Sequence, residues 1–245
     1  MFRVPPTHSS LKPLILLLAS LLIASNASRL LAQESKSAEY TARGDGYADE
    51  EEFELAITEY DRALSVDPKN ARAWNNRGFA CHQVGRDEEA VENYGEALRL
   101  RPRYIQALNN RAQSCEALSQ NQKAIDDYTE VLRLNPIDLA ALTNRAELHA
   151  KLDNHAAAIE DYSAALDINP EDNLVLYMRV EVCKDAGQFA QALEDCDELN
   201  RRCPDLDLIY VLRGKVLSSQ GRYEAAILEF TKAIDLNSSS DYGCR

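Results

Sequence analysis

Cys81, Cys115 and His149 recur at one constant interval, with His82 beside the first. Thiolate and imidazole are the groups that hold zinc, so a metal site is the first chemistry these residues suggest. The spacing refuses it. Residues at the same place of consecutive units lie on equivalent helices about 8–10 Å apart or more, whereas the ligands of one zinc each stand about 2.0–2.3 Å from the ion. They are expected to be buried small side chains and a packed histidine, with no metal and no other cofactor. No phosphate-binding loop is present, and no nucleophile has a base and an orienting acid at a recognisable spacing. Catalytic residues are therefore not assigned, and enzyme activity is not expected.

Six cysteines allow 15 disulfide connectivities. Placed on antiparallel helices, Cys183 and Cys196 are about seven residues out of level, roughly 10 Å at 1.5 Å per residue, which is beyond disulfide reach. Cys81 and Cys115 fail likewise. Cys203 and Cys244 fall near one end of adjacent layers, where a tail can carry one to the other. The densest acidic run, Asp49 to Glu52 with Glu54, lacks the glycine-punctuated spacing of a calcium loop and reads as a solvated corner. With a net charge of −13, the chain is expected to repel phosphate backbones and anionic lipid, so nucleic acid is excluded as a partner.

The elements that place these residues come from one period. Pro68, Pro102, Pro136, Pro170 and Pro204 are evenly spaced, and Arg43, Arg77, Arg111, Arg145, Arg179 and Arg213 keep the same step. A step of about 34 residues belongs to helical arrays. In the unit 71–104, one helix is expected from about Arg72 to Val84, stopped by Gly85. A second is expected from about Asp87 to Leu100, stopped by Pro102. Glu51, Ser119 and Asp153 replace that glycine in three units, where neighbours such as Asn121 and Asn154 are expected to make the turn. Small residues (Gly44, Gly78, Ala112, Ala146, Val180, Gly214) face the bulk of Tyr60, Tyr94, Tyr128, Tyr162, Cys196 and Phe230. The exchange to Val180 and Cys196 predicts the least regular packing in the fifth unit. At one fixed offset after each arginine stands Glu59, Asn93, Asp127, Asp161, Asp195 or Glu229, so a ladder of structural ion pairs is expected.

Trp74, Gly78, Gly85, Ala90, Tyr94, Ala97 and Pro102 occupy the large, small, aromatic and proline places of the tetratricopeptide repeat (TPR), and the chain resembles that family. The resemblance implies an all-α fold, a helical-repeat solenoid of antiparallel helix pairs wound into a right-handed superhelix. Six units follow, 37–70, 71–104, 105–138, 139–172, 173–206 and 207–240, with a tail at 241–245. Many TPR units carry leucine where this chain has the arginine series. The resemblance further implies a scaffold whose concave A helices bind an extended peptide or a partner helix. Asn76, Asn110 and Asn144 resemble the asparagine ladder of O-linked N-acetylglucosamine transferases, and an amide pairs with a peptide's NH and CO alike. Arg72, Asn75, Gln106 and Asn109 flank the ladder. Beyond it, Leu174, Met178, Leu208 and Leu212 are expected as an exposed apolar anchor; the competing reading makes them core or an end cover. The cations of the carboxylate-binding TPR clamp are replaced by Asn75, Gln106 and Asn110, so that recognition is not expected. Leu228 is apolar where the earlier units have Thr58, Glu92, Asp126, Glu160 and Glu194. It keeps a second role open, in which array ends pair into a homo-oligomer.

Arg3 and Lys12, the apolar run Leu14 to Ala24, and Ser25-Asn26-Ala27 read as a secretory signal peptide at 1–27, followed by a linker at 28–36. The mature chain is expected to be periplasmic or secreted. The alternative is a membrane anchor through an uncleaved segment, although about 11 apolar residues fall short of the roughly 20 that span a bilayer.

Overall fold

The computed structural model describes residues 11–241, with side chains for 22–237; Arg3 and Cys244 lie outside these ranges. Twelve helices and no strand occur among the described residues. They form two compact units divided between Leu118 and Ser119. The first holds α1 (Leu11–Asp49), α2 (Phe53–Val66), α3 (Ala71–Gln83), α4 (Asp87–Leu100) and α5 (Ile105–Ala117). The second holds α6 (Asn121–Leu134), α7 (Leu139–Lys151), α8 (His155–Ile168), α9 (Asn173–Asp185), α10 (Phe189–Arg202), α11 (Asp207–Ser219) and α12 (Tyr223–Asp241). Within each unit every helix packs on the next in sequence. The odd-numbered helices from α3 are the A helices of the repeats, the even-numbered ones the B helices, and α1 contains the first A helix.

Small-for-large pairing sets how closely A and B approach. A Cβ added to Gly78 would stand 2.8 Å from the Tyr94 ring, and one added to Gly44 or Gly214 would stand 2.5 Å from Tyr60 or Phe230. Only the absence of a side chain lets these rings lie flat on the facing helix. The fifth pair reverses the sizes: Val180 and Cys196 are both fully buried. A larger residue on A is balanced by a smaller one on B. The irregularity of that unit lies elsewhere. Asn200 and Arg202 replace residues that are apolar at the same places of the other five units, and Asn200 keeps a buried amide oxygen without a partner.

Residues 28–36, expected as a short linker, are helical and belong to α1, which runs unbroken into the first A helix. One expectation is corrected. The A-to-B turns are made by one backbone conformation whatever residue is present. Gly85, Gly187 and Gly221 have φ of 76°, 72° and 81°, and Glu51, Ser119 and Asp153 adopt 60°, 57° and 57°. The turn residues themselves go left-handed, rather than Asn121 or Asn154, at a cost of roughly 1–2 kcal/mol each that the packed helices on either side impose.

The arginine series is structural, and it reaches in both directions. Arg145 forks onto Asp161, sixteen residues ahead, at 2.7 and 2.8 Å, and donates to the Thr129 hydroxyl, sixteen behind, at 3.0 Å. Arg179 repeats this with Asp195 at 2.7 and 2.8 Å and with Ser163 at 3.0 Å. Arg77 holds Asn93 ahead at 2.8 Å and Asp61 behind at 2.7 Å. Arg213 pairs with Asp197 behind at 2.5 Å and stands 3.9 Å from Glu229 ahead. Each of these arginines ties the B helix of its own repeat to the B helix before it. Burial lowers the Arg179 pKa, but the fork onto Asp195 outweighs it and the net shift is upward. Replacing Arg145 with Met, which strands a buried Asp161, is expected to cost about 3 kcal/mol in urea unfolding. A loss below about 1 kcal/mol, the worth of an exposed pair, would show the clamp to be ornamental.

Candidate functional site

In the first unit, α3 and α5 carry Arg72, Asn75, Asn76, Gln106, Asn109 and Asn110. Three of their amides, those of Asn75, Asn76 and Asn110, are already engaged, whereas Asn109 keeps a buried Oδ1 without a partner. Asn110 donates to Asn75 at 3.4 Å, Asn75 to Asn76 at 2.9 Å, and Asn76 to Asp45 of α1 at 2.7 Å. The chain of donors ends on the Asp45 carboxylate, which also accepts the Tyr60 hydroxyl at 2.9 Å and pairs with Arg72. Burial, and then the Asp45 charge, push the Tyr60 phenol well above its ordinary range. Asn75 is itself buried and bridges its neighbours from beneath, so it is not the surface contact that its place suggested. Asn76, Asn109 and Asn110 are half-buried, and Gln106 and Arg72 are exposed. Asp45 was missed in the sequence. It holds the ninth place of its unit, where Gln113, Glu147, Glu181 and Lys215 are also polar and Phe79 is the exception, and that recurrent polarity was the available signal.

In the second unit, Asn144 on α7 donates to the Tyr128 hydroxyl at 3.0 Å. Leu174 and Leu208, at the same place of α9 and α11, are 69% and 46% exposed, and Met178 is half-buried. Leu212 is corrected: at 1% exposure it belongs to the core. A leucine at this place, unlike an asparagine, gains by turning out of water. Beside this strip Glu181 pairs with Lys184 and, across one repeat, with Lys215 at 3.3 Å. Burial opposes ionisation of Glu181, but the two lysines prevail and its pKa is lowered. A separate cleft of about 640 Å³ opens beside α8, α9 and α10, lined by Leu166, Pro170, Arg179, Glu194, Glu198 and Arg202. Charges of both signs meet there, and Arg202 is paired with Glu198 at 2.6 Å.

His82, Asp87 and Ser114 meet in the first unit, yet not as a nucleophile with its base. Asp87 at 2.5 Å and Ser114 at 3.2 Å both address Nδ1 of the ring. A relay needs the acid on one nitrogen and the hydroxyl on the other, and Ser114 is fully buried. Among the described residues no three His, Cys, Asp or Glu side chains converge on one point, and no helix is long and apolar enough to cross a membrane.

Helix pairs in constant register, packed in sequence order, define a helical-repeat protein. Models of the tetratricopeptide repeat match residues 44–85, 69–136, 109–173 and 208–240, and the chain belongs to the TPR family. No curated protein sequence matches it. Among solved structures it is similar to YrrB, described as a TPR protein with an unusual peptide-binding site, at a TM-score of 0.63 and 18% identity over 72% of this chain and 91% of that one. It is also similar to MamA from residue 41 onward of Desulfovibrio magneticus RS-1, at 0.62 and 20% over 70% and 97%. A third likeness is to PilF of Pseudomonas aeruginosa, at 0.60 and 18% over 82% and 97%. Likenesses at these identities show the fold.

Cys81, Cys115, Cys183 and Cys196 are buried thiols. Burial pushes Cys81 and Cys183 up to about 11 and Cys196 to about 12. It also raises the Tyr94 and Tyr162 phenols. The unfolded chain therefore loses these protons first. The stability they contribute is whole below pH 9 and declines as pH climbs from 9 through 12. Urea midpoints are expected to fall between pH 8 and pH 10.5, less steeply in Cys183→Ala; an unaltered slope in that variant would remove the thiol from the account.

Proposed function

We propose that this protein is a non-enzymatic scaffold that binds an extended peptide or a partner helix on its A helices. The observation that carries the reading is the pair Leu174 and Leu208, exposed at the same place of consecutive A helices, with the half-buried Met178 one turn along from Leu174. Two exposed leucines at one place of consecutive repeats are an apolar anchor site for a partner. In the first unit Asn76, Asn109 and Asn110, with Gln106 and Arg72, present donors and acceptors suited to a peptide backbone. The peptide-binding site ascribed to YrrB supports the reading by analogy of fold. A peptide selected from a random display library on the full chain is the probe. Leu174→Asp and Met178→Asp are expected to weaken it at least tenfold by fluorescence anisotropy, and Asn110→Ala severalfold. If all three stay within twofold of the parent, the reading fails.

The scaffold is further proposed to act outside the cytoplasm, exported by residues 1–27 and processed after Ala27, with retention through an uncleaved segment as the alternative. Intact mass of the protein recovered from its compartment decides between them: a mass starting at Ser28 fits processing, and a mass starting at Met1 fits the anchor.

A further inference from the structure

The arginine clamps form a row that is incomplete at both ends. Arg77, Arg145, Arg179 and Arg213 each hold a partner sixteen residues behind, on the preceding B helix: Asp61, Thr129, Ser163 and Asp197. The next acceptor in that row is Thr231 on α12. Its hydroxyl donates to the Ile227 carbonyl of its own helix at 2.8 Å, and no arginine reaches it among the described residues. The first arginine, Arg43 on α1, reaches forward to Glu59 at 3.4 Å and is half-exposed. At the matching distance behind it lies Ala27, within α1 itself.

The apolar surface is incomplete at the same place. In α2, Ile57, Ala63 and Leu64 are buried, and Ala73 of α3 joins Ala63 and Leu64 in one core cluster with Trp74 against it. The corresponding residues of α12 are Ile227, Ala233 and Ile234, and the two isoleucines are 62% and 65% exposed. Between α11 and α12 a groove of about 430 Å³ runs along Asp207, Val211, Phe230, Ala233, Ile234 and Asn237. It has the composition and register of a seat for one more A helix.

We propose that a second copy of this chain fills the seat, its α1 lying on α12 as α3 lies on α2. Three features of α1 match. Arg43 is a clamp arginine with no B helix behind it among the described residues, and Thr231 is an acceptor that no arginine reaches there. Tyr40 holds the place that Trp74 holds in α3. Both helices also overrun the repeat at the end where they would meet. α12 continues to Asp241 because serine replaces proline at 238, and α1 extends N-terminally from the first unit with Leu30 and Leu31 exposed. An A helix runs antiparallel to the B helix before it, so these two extensions would lie side by side. Every residue involved follows Ala27, and removal of residues 1–27 leaves the contact intact. Such a contact joins unlike surfaces, so each copy offers one donor end and one acceptor end and association continues from copy to copy. It is independent of the peptide site on the A helices.

Analytical ultracentrifugation of the full chain, with Arg43→Glu and Ile234→Glu, tests this directly. The parent is expected to show concentration-dependent association in the micromolar range, and each variant alone to be monomeric. Mixed in equal amounts, the variants should form a one-to-one dimer, since each retains the end the other has lost. Circular dichroism checks that Arg43→Glu stays folded; if it does not, Leu31→Glu, at an exposed position of the same helix, blocks the same end. A parent that is monomeric at 100 µM overturns the proposal. So does an Arg43→Glu protein that dimerises by itself, which would mean α12 pairing with α12, and so does a mixture that stays monomeric.

Discussion

An A helix of 13 residues and a B helix of 14 cannot cover, between them, the side chains each presents, and the whole structure follows from that incompleteness. Tyr60, Tyr94 and Tyr162 are buried because a neighbouring repeat closes over what the small residue of their own repeat leaves open. The core within each unit is therefore not a centre but a strip, added to by each repeat in turn. Stability is correspondingly local, and a defect in one repeat is felt mainly by the repeats beside it.

The clamp arginines sharpen this dependence. Apolar stacking tolerates sliding, but a fork onto Asp161 or Asp195 with a hydroxyl on the other side does not, because bidentate geometry fixes both distance and angle. Leucine at these places would give burial without register. The arginines give register, at the cost of desolvating a guanidinium that then requires every one of its partners. The looser forward contacts of the first and last arginines, 3.4 Å and 3.9 Å, fall at the margins of the described helices.

The fold was legible in the sequence because its determinants are periodic: prolines, small residues and arginines at one interval each report the same physical requirement several times over. The ion pairs were legible for the same reason, as partners at constant offset. What was not legible is decided by contacts outside the repeat column. Leu212 is buried because of what lies against α11, which its own column, shared with Met178 and three asparagines, does not encode. The left-handed turn at Asp153 was hidden because geometry there is imposed by the flanking helices and not by the residue. The continuity of α1 escaped notice because a signal-like composition and a helix are not exclusive. Of the candidate site, the residue types were legible and their engagement was not: nothing in the spacing of Asn75, Asn76 and Asn110 says that they bond to one another and end on Asp45.

That engagement changes what the amides contribute. A backbone NH or CO arriving at Asn76 finds no idle group but a hydrogen bond already made, so recognition there is an exchange of partners with little net gain. A ligand gains at such a surface only where it replaces each bond in kind. The exposed Leu174 and Leu208 of the second unit differ in kind: what they offer is apolar surface not yet buried.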